Sequence, residues 1–358
     1  MNLESLGWTP HFKQHYESMS HTGTEPARVV RQDRSSYTAL FTGGELSATI
    51  TGKYRHEIQP SAGLPAVGDW VVLTPDPSGA SAVIHKVLPR RSAFSRVEVG
   101  GATKEQVVAA NIDTVFLVSG LDGDFNVRRI ERYVTLAWDS GATPVVLLNK
   151  ADLCSDLSAR IAEVESVAPG VDVHPLTAAD REGIEMLDVY LAEGRTVALA
   201  GSSGVGKSTI VNALLHADRM VTRPVRQDDS RGRHTTSHRE LILLPNGGMI
   251  IDTPGMRELQ LWATEDSLAG AFGDIEELIQ SCRFADCGHD SEPGCAIRGA
   301  IEDGSLDRAR YASYQKLKRE LAHLARRQSD TAEYEQRQRG KKFNKMYKSR
   351  QKMKRDGW

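Results

Sequence analysis

Nine residues near the middle of the chain constrain its fold more than any other stretch. Residues 201–209 read GSSGVGKST and fit the phosphate-loop pattern G-x-x-x-x-G-K-[ST]. The apolar run from Thr196 to Ala200 predicts a buried strand before the loop, and residues 210–215 predict a helix after it. This strand–loop–helix context indicates a true phosphate-binding loop; a glycine-rich turn with a stray lysine is the alternative.

The pattern predicts a role for each part of the loop. Its glycines let backbone N–H groups turn inward around phosphate oxygens, at a helix N-terminus that favours anions. We expect the Lys207 ammonium to reach the β- and γ-phosphates and the Ser208 hydroxyl to bind Mg²⁺. The predicted phosphate-binding residues are Gly201, Ser202, Ser203, Gly204, Val205, Gly206, Lys207, Ser208 and Thr209.

A second motif predicts which base is bound. Asn149, Lys150, Ala151 and Asp152 read N-K-x-D after the apolar run 144–148. The Asp152 carboxylate can accept two hydrogen bonds from guanine, whereas adenine does not offer that pair of donors, so discrimination can reach about 10⁴-fold. Asn149 would brace neighbouring loops, and the stem of Lys150 would lie along the purine. Alone this four-residue signal is weak; together with a phosphate loop it indicates a guanine nucleotide.

Two further segments are predicted to complete the nucleotide site. Asp252 to Gly255 resembles the D-x-x-G of GTPases, in which the aspartate holds Mg²⁺ through water and the glycine N–H meets the γ-phosphate. A turn at a strand end is the alternative, because Asp, Pro and Gly all favour turns. Thr177 and Ala178 are expected to contact the guanine carbonyl through a backbone N–H, although Ser-Ala-Lys is commoner there than Thr-Ala-Ala.

The order of these motifs is unusual. GTPases ordinarily carry the phosphate loop first, then D-x-x-G, then N-K-x-D, whereas here N-K-x-D comes first and D-x-x-G last. The order predicts a circularly permuted GTPase domain. Permutation is tolerable because the termini of a domain usually lie at its surface and often close together.

The polar, arginine-containing segment 228–239 is typical of a switch that senses the γ-phosphate. A threonine there would complete the Mg²⁺ shell; we favour Thr236, with Thr235 as the alternative. Many GTPases orient the attacking water with a glutamine directly after D-x-x-G, but Met256 occupies that position. The imidazole of His234 can accept a hydrogen bond from water and is our catalytic candidate; a solvent-exposed histidine is the alternative.

Strand patterns dominate the region before the GTPase motifs. Short β-rich runs separated by Gly and Pro predict a small barrel over residues 28–99, and an OB-fold fits that length. Such a barrel offers a nucleic-acid-binding face. Arg90, Arg91 and Arg96 could meet phosphate there or form a solvated turn. The predicted strands are 28–41, 45–55, 69–74 and 81–88.

Residues 1–27 carry a weaker pattern. Trp8, Phe12 and Tyr16 fall at helical spacing and allow a short docking helix, but we expect a loosely ordered extension. From residue 105 to 262 strands and helices alternate, which predicts an α/β domain. The predicted strands are 114–119, 144–148 and 171–176, and the predicted helices are 126–138 and 157–167.

A third site is predicted near the C-terminal end. Cys282, Cys287, His289 and Cys295 supply three thiolates and one imidazole within fourteen residues, which suits a closed tetrahedral zinc site. Because all four ligands come from the protein, the zinc would be structural and not catalytic; buried free thiols are the alternative. Helical patterns on both sides predict an α-helical zinc-binding domain over residues 263–325.

Charge is distributed unevenly along the chain. Residues 308–358 contain 17 Lys and Arg against 5 Asp and Glu, a net charge of +12, whereas residues 1–307 carry −14. The basic tail, residues 326–358, also contains aromatic residues that could stack on RNA bases while the cations neutralise phosphates. A solubilising or nonspecific basic tail is the alternative.

Composition argues against a membrane or a secreted protein. No apolar run approaches the ~18 residues that a membrane span needs, and the N-terminal residues lack the core of a signal peptide. Three of the four cysteines are clustered, which indicates metal binding and a reducing compartment. We therefore expect a cytoplasmic monomer that does not contact membranes.

In combination, the motifs resemble those of the bacterial ribosome small-subunit-dependent GTPase A family. The resemblance rests on the permuted order, on Gly232-Arg233-His234-Thr235-Thr236, on Asp252 to Gly255, and on the Cys282–Cys295 segment, and it covers roughly residues 28–320. It implies an N-terminal OB-fold, binding to the small ribosomal subunit and its rRNA, a role in late assembly, and GTP hydrolysis to GDP that the subunit stimulates. It also implies that His234 replaces the missing glutamine.

Two other classes of function remain open from the residues. One is a non-catalytic RNA-binding scaffold in which the nucleotide is only structural. The other is a small-molecule kinase, since the phosphate loop alone allows it. N-K-x-D and the lack of an obvious acceptor-substrate site argue against the kinase.

Overall fold

The computed structural model describes residues 2–326, except 20–21, 34–35, 59–62, 78, 98–104, 217–238, 253–271, 291, 320 and 323–325. The predicted site residues His234, Thr235, Thr236 and Gly255 and the basic tail lie outside the described residues. The chain forms two compact units. The first contains the described parts of 1–96 and 105–277, and the second those of 97–104 and 278–358.

Residues 4–6 and 10–19 are helical, so the short docking helix that the sequence allowed is present and our expectation of a loosely ordered extension is wrong. A 3-10 turn, Glu4–Leu6, precedes helix α1, Pro10–Met19. Phe12 is buried, and the Trp8 ring meets the Trp70 ring edge-on at a centroid distance of 4.6 Å. Burial of aromatic rings against the neighbouring barrel stabilises a helix that is too short to persist alone.

Five strands close into the predicted barrel. They pair in the order β1-β2-β3-β5-β4, and β4 returns to β1. β3 and β5 are parallel, and the other neighbours are antiparallel. Apolar and polar side chains alternate: Leu46 and Ala48 of β3 point inward, while Glu45 and Ser47 are exposed. The strands are β1 (Glu25–Gln32), β2 (Tyr37–Phe41), β3 (Gly44–Ile50), β4 (Trp70–Pro75) and β5 (Ser81–Val87).

The second predicted barrel strand, 45–55, is wrong at its C-terminal end. β3 stops at Ile50, and residues Gly52–Glu57 form helix α2. The hydroxyl of Thr51 accepts a hydrogen bond from the backbone N–H of Tyr54 at 2.9 Å. This side-chain cap satisfies a free N–H of the first helical turn and favours a helix over further strand.

The α/β part follows a hairpin of β6 (Ala93–Val97) and β7 (Glu105–Ala110). Its parallel strands lie in the order β10-β9-β8-β11-β13, and β12 is antiparallel to β13. The strands are β8 (Thr114–Gly120), β9 (Thr143–Asn149), β10 (Asp172–Leu176), β11 (Thr196–Ala200), β12 (Arg239–Leu243) and β13 (Met249–Asp252).

Four of the strands, β8 to β11, lie close to the predicted runs 114–119, 144–148, 171–176 and 196–200. β8, β9 and β11 are mainly apolar because both faces of the sheet are covered there. β12 was not predicted, since its first residue falls in the polar segment 228–239.

Helices connect these strands. Asn126 caps α3 by accepting a hydrogen bond from the N–H of Arg129 at 3.0 Å, and the carboxylate of Asp156 caps α4 in the same way. The helices are α3 (Val127–Asp139), α4 (Leu157–Val167) and α5 (Lys207–Leu215), with 3-10 helices at Ala151–Leu153 and Ile184–Tyr190.

The barrel and the α/β sheet form one continuous eleven-stranded sheet. Barrel strand β1 pairs with β12 through two residue pairs, Arg31 with Glu240 and Gln32 with Arg239. Two structural regions that are separate in the sequence pattern are therefore joined by backbone hydrogen bonding.

The second unit is helical. Helix α6 (Gly273–Gln280) leads towards it, α7 (Ala296–Glu302) lies within it, and residues 308–319 form a further helix. Ile297, Leu306 and Tyr314 are buried. No helix in the described part of the chain has the length and apolar character that a membrane span requires.

Candidate functional site

The predicted nucleotide motifs all follow the carboxyl ends of neighbouring parallel strands. We call this the carboxyl edge, defined by the strand ends Leu176, Asn149, Gly120, Ala200 and Asp252. The chain builds β8, β9 and β10 outward in one direction and then returns to place β11 on the other side of β8. The phosphate loop after β11 therefore lies at the point where strand order reverses, where open α/β sheets bind ligands.

Two glycines of the loop are sterically required. Gly201 has φ +146°, and a Cβ there would lie 2.2 Å from the carbonyl oxygen of Val118. Gly206 has φ +98°, and a Cβ there would lie 2.1 Å from Nδ2 of Asn149. Side chains at these positions would collide with β8 and with the N-K-x-D motif, so glycine permits the loop to sit close to both.

The rest of the loop leads directly into helix α5. The Nζ of Lys207 donates to the carbonyl oxygen of Gly201 at 2.7 Å and also to that of Ser202. Val205 is buried, whereas Ser203 and Gly204 are exposed. Ser208 and Thr209 lie half-buried in the first turn of α5. The loop is therefore anchored by buried Val205, exposes Ser203 and Gly204, and holds the Lys207 ammonium beside its first residues.

Asn149 connects the phosphate loop with the predicted base site. Its side chain is buried; Nδ2 donates to the carbonyl oxygen of Val205 at 2.8 Å, and Oδ1 accepts from the N–H of Ala178 at 3.0 Å. Three loops that are far apart in sequence are therefore fixed relative to one another by one side chain.

Lys150 has a partner that sequence reasoning missed. It adopts a left-handed conformation, φ +62°, and its Nζ makes an ion pair with Asp122, just beyond β8. Partial burial opposes ionisation of Asp122, but the hydrogen bond and charge of Lys150 outweigh it and lower the pKa of that carboxyl. A carboxylate after β8 was detectable, since neighbouring parallel strands end together.

The remaining predicted base-site residues lie on the same edge. Asp152 is exposed in the 3-10 helix that follows Lys150. Thr177 and Ala178 are buried, and the N–H of Thr177 donates to the carbonyl oxygen of Glu182 at 3.0 Å. Asp252 is the last residue of β13, next to β11. The predicted Gly255, His234 and Thr236 fall outside the described residues.

The four predicted metal ligands converge in the second unit. The donor atoms of Cys282, Cys287, His289 and Cys295 all lie within 4.8 Å of one another. The His289 Nδ1 is 3.5 Å from the Sγ of Cys282 and 3.7 Å from that of Cys295. A tetrahedral zinc with ordinary Zn–S and Zn–N bonds would separate sulfur and nitrogen ligands by about 3.6 Å. The donor set and spacing therefore fit a zinc ion.

The backbone around these ligands is well supported. Cys295 caps the N-terminus of helix α7, where its Sγ accepts from the N–H of Arg298 at 3.5 Å. The carboxylate of Glu292 accepts from the N–H groups of Gly288 at 2.9 Å and Asp290 at 3.0 Å. These bonds hold the turn that carries His289, which has φ +63°. The ligand loop is thus shaped by its own polar groups.

Known proteins are similar to this chain in sequence. A family model described as RsgA GTPase matches residues 87–262. A small ribosomal subunit biogenesis GTPase RsgA of Opitutus terrae is 48% identical over 99% of both chains. An RsgA 1 of Oceanobacillus iheyensis is 46% identical, over 90% of this chain and 92% of that protein.

Two solved structures are similar in fold. YjeQ from Thermotoga maritima covers 84% of this chain and 99% of its own, with a TM-score of 0.61 and 28% identity. YloQ, described as a circularly permuted GTPase, covers 85% of this chain and 96% of its own, with a TM-score of 0.59 and 22% identity. The latter likeness concerns the fold alone.

Proposed function

The chain belongs to the RsgA GTPase family, a family of GTP hydrolases, and we propose that it acts in late assembly of the small ribosomal subunit. In this proposal it binds the subunit through rRNA and hydrolyses GTP to GDP and phosphate, and the bound subunit stimulates hydrolysis. The similar proteins named for small-subunit biogenesis support the biological role.

One observation carries the nucleotide part of the proposal. The side chain of Asn149 bonds both to Val205 of the phosphate loop and to Ala178 of the predicted base loop. A nucleotide with its phosphates in one loop and its guanine at the other would span this bridge. A phosphate loop used for another substrate would not need such a link to N-K-x-D.

We propose specific tasks for the residues of the carboxyl edge. Asp152 would read guanine and Lys150 would flank the purine. Thr177 and Ala178 would lie beside the guanine carbonyl, although their own N–H groups are bonded to Glu182 and Asn149. Residues 201–209 would hold the phosphates, with Asp252 and Gly255 near the γ-phosphate. Ser208 and Thr236 would hold Mg²⁺, which when bound neutralises phosphate charge. His234 would orient the attacking water by accepting its hydrogen bond.

We further propose that the Cys282–Cys295 ligands hold one structural zinc ion. Four protein ligands fill a tetrahedral site and leave no position for a substrate. The ion would fix the turn between α6 and α7, because a short loop with few apolar residues gains its order from metal bonds.

The proposed division of labour follows the five segments of the sequence. Residues 28–99 and 263–325, with the tail 326–358, would contact rRNA, and residues 105–262 would bind and hydrolyse GTP. Residues 1–27 would support the barrel. We propose that the protein works as a cytoplasmic monomer away from membranes.

GTP hydrolysis by the wild type and by His234→Ala, with and without purified small subunits, tests this proposal. We expect subunits to stimulate the wild type strongly and His234→Ala to lose that stimulation, while the control His238→Ala keeps it. A wild type that subunits do not stimulate would favour the RNA-binding scaffold or another activating partner. Stimulation that survives in His234→Ala would remove that histidine from the water-positioning role.

A further inference from the structure

Barrel strand β1 extends from the level at which the parallel strands of the GTPase sheet begin to the level at which they end. Arg28, in its first half, donates to the Oγ1 of Thr196 at 2.8 Å, at the start of β11. Its last two residues, Arg31 and Gln32, pair with the start of β12. Four residues of extended chain span about 13 Å, roughly the height of these short strands. One barrel element thus contacts both the amino edge, where the parallel strands begin, and the carboxyl edge.

The pairing of Arg31 with β12 lies in register with Asp252, the predicted Mg²⁺ aspartate. Glu240 of β12 pairs with Arg31 of β1 on one side and with Asp252 of β13 on the other. The barrel therefore contributes the next strand to the sheet at the level where D-x-x-G begins. A shift of β1 along this row would be passed through one intervening strand to Asp252.

A side-chain bond reinforces this pairing. The Oε1 of Gln32 accepts from Nη1 of Arg239 at 3.1 Å, across 207 residues of sequence. Both side chains are half-buried. The Tyr37 side chain, on the neighbouring strand β2, also hydrogen-bonds to Gln32, which fixes the Gln32 side chain on the barrel side.

The position of Arg239 gives this contact its importance. Arg239 is the first residue of β12, three residues after Thr236 and five after His234. The point at which the predicted switch enters the sheet is therefore held by a barrel side chain. Because orientation of reacting groups is sensitive to small displacements, an anchor this close in sequence can set the rate of hydrolysis.

The two attachments differ in strength. Arg28 is buried and hydrogen-bonded to several backbone and side-chain acceptors, whereas the β1–β12 pairing comprises two residue pairs near the surface. A barrel that is fixed firmly at the amino edge and lightly at the carboxyl edge can pivot about Arg28. Hinges of this kind act through a few residues at the ends of elements.

We propose that β1 couples the barrel to GTP hydrolysis, with Gln32 as a positioning residue that acts through Arg239 on β12 and its neighbour Asp252. The inference rests on the proposed function in one respect: RNA bound to the barrel would change the rate by moving β1. Gln32 does not touch the nucleotide in this scheme, and its effect appears in turnover and not in nucleotide affinity.

The test compares Gln32→Ala, Arg239→Ala and the double variant. Each is measured for kcat of GTP hydrolysis with and without small subunits, for the Kd of GDP, and for Tm. We expect each single variant to lower the subunit-stimulated kcat about tenfold, with GDP affinity and Tm close to wild type. The double variant should be no slower than Arg239→Ala alone, since that variant already removes the bond between Gln32 and Arg239.

Two further variants separate positioning from general damage. Gln32→Glu keeps an acceptor and adds a charge opposite Arg239, so it should retain wild-type kcat. Thr74→Val removes a barrel hydrogen bond of similar length, 2.9 Å to His85, from a strand that does not pair with β12. It should leave kcat unchanged.

Unchanged kcat in both Gln32→Ala and Arg239→Ala would overturn the inference. So would a fall in kcat that is matched by falls in GDP affinity and Tm and is not relieved by Gln32→Glu, because that pattern is structural damage. If subunits fail to stimulate the wild type, the proposed function fails instead. The intrinsic rates of the same variants would then decide whether Gln32 acts through β12 on hydrolysis.

Discussion

The two edges of the parallel strands are built on opposite principles. The amino edge, defined by the strand starts Thr114, Thr143, Asp172, Thr196 and Met249, is where the barrel and the N-terminal helical residues are attached. The carboxyl edge carries glycine-rich and polar loops. The barrel is thus attached at the amino ends of these short strands, and the predicted ligand-binding loops lie at their carboxyl ends.

Arg28 illustrates the amino edge. Its guanidinium is buried and donates to the Leu6 carbonyl, to the Asn111 carbonyl at 3.2 Å and to the Thr196 hydroxyl at 2.8 Å. Burial lowers the pKa of Arg28 to about 10, while the charges of Asp113 and Asp69 oppose that shift. The side chain therefore remains a cation at neutral pH, and its cost of burial is offset only while these acceptors are in place.

Lys207 illustrates the carboxyl edge. Two of its hydrogen-bond acceptors are the carbonyl oxygens of Gly201 and Ser202, within its own loop. These contacts do not hold separate elements together, so their loss has little effect on folding. The comparison predicts that substitutions at the two edges change different measurements.

The largest effect is expected at Lys207. Lys207→Ala removes the only lysine of the phosphate loop, so we expect kcat/KM for GTP to fall about 10³-fold or more, because the charge on the transferred phosphate is no longer balanced. Tm should stay close to wild type. Hydrolysis assays with and without subunits, together with thermal unfolding, measure both quantities. A variant that still turned over GTP would refute the assignment of the phosphate loop.

The converse pattern is expected at Arg28. Arg28→Met keeps much of the side-chain volume but removes the donors to Leu6, Asn111 and Thr196, which should lower the free energy of unfolding by about 3–4 kcal/mol. Below the unfolding transition the variant should still bind GDP. The measurements are urea unfolding and GDP titration at low temperature.

Arg31→Met is the matched control for this prediction. It lies on the same strand, but its side chain is 47% exposed and pairs with Asp33 at 3.5 Å. Exposed ion pairs contribute about 0–1 kcal/mol, so the control should unfold almost as wild type does. Equal losses at Arg28 and Arg31 would contradict the claim that the amino edge is held by buried hydrogen bonds.

The carboxyl edge was predictable from sequence and the amino edge was not. The Gly201–Thr209 loop and N-K-x-D can be recognised from sequence because their chemistry requires fixed residue types at fixed spacing. Arg28 reads as a polar position in a barrel strand; its bond to Thr196 crosses 168 residues, and local periodicity contains no trace of it. Tertiary proximity alone gives this arginine its role.

Intermediate cases follow the same logic. The strands of the α/β part were predicted well because burial on both faces leaves continuous apolar runs. The N-terminal helix was recognised only as the less favoured alternative, because its order comes from packing Phe12 and Trp8 against Trp70. The Asp122–Lys150 pair was missed because it needs the knowledge that β8 and β9 are neighbours.

The smallest effect is expected for the Asp122–Lys150 ion pair at the carboxyl edge. Asp122→Asn removes the partner of Lys150 but leaves Asp152 in place. Because the pair is partly exposed, we expect GTP affinity to fall only about threefold, with guanine preference and Tm unchanged. The control Asp152→Asn should instead shift preference from guanine towards xanthine nucleotides, since an amide cannot accept both guanine hydrogen bonds.

The pKa of Asp122 predicts how the difference in GTP affinity between wild type and Asp122→Asn depends on pH. Lys150 lowers the pKa of Asp122 below the ordinary 3.8, so the carboxylate stays ionised above about pH 4 and its contribution is lost as pH falls through the lowered pKa. The threefold difference between wild type and Asp122→Asn should therefore be constant from pH 5 to 8. A difference that grew or vanished within that window would show that Asp122 does not act as a charged partner of Lys150.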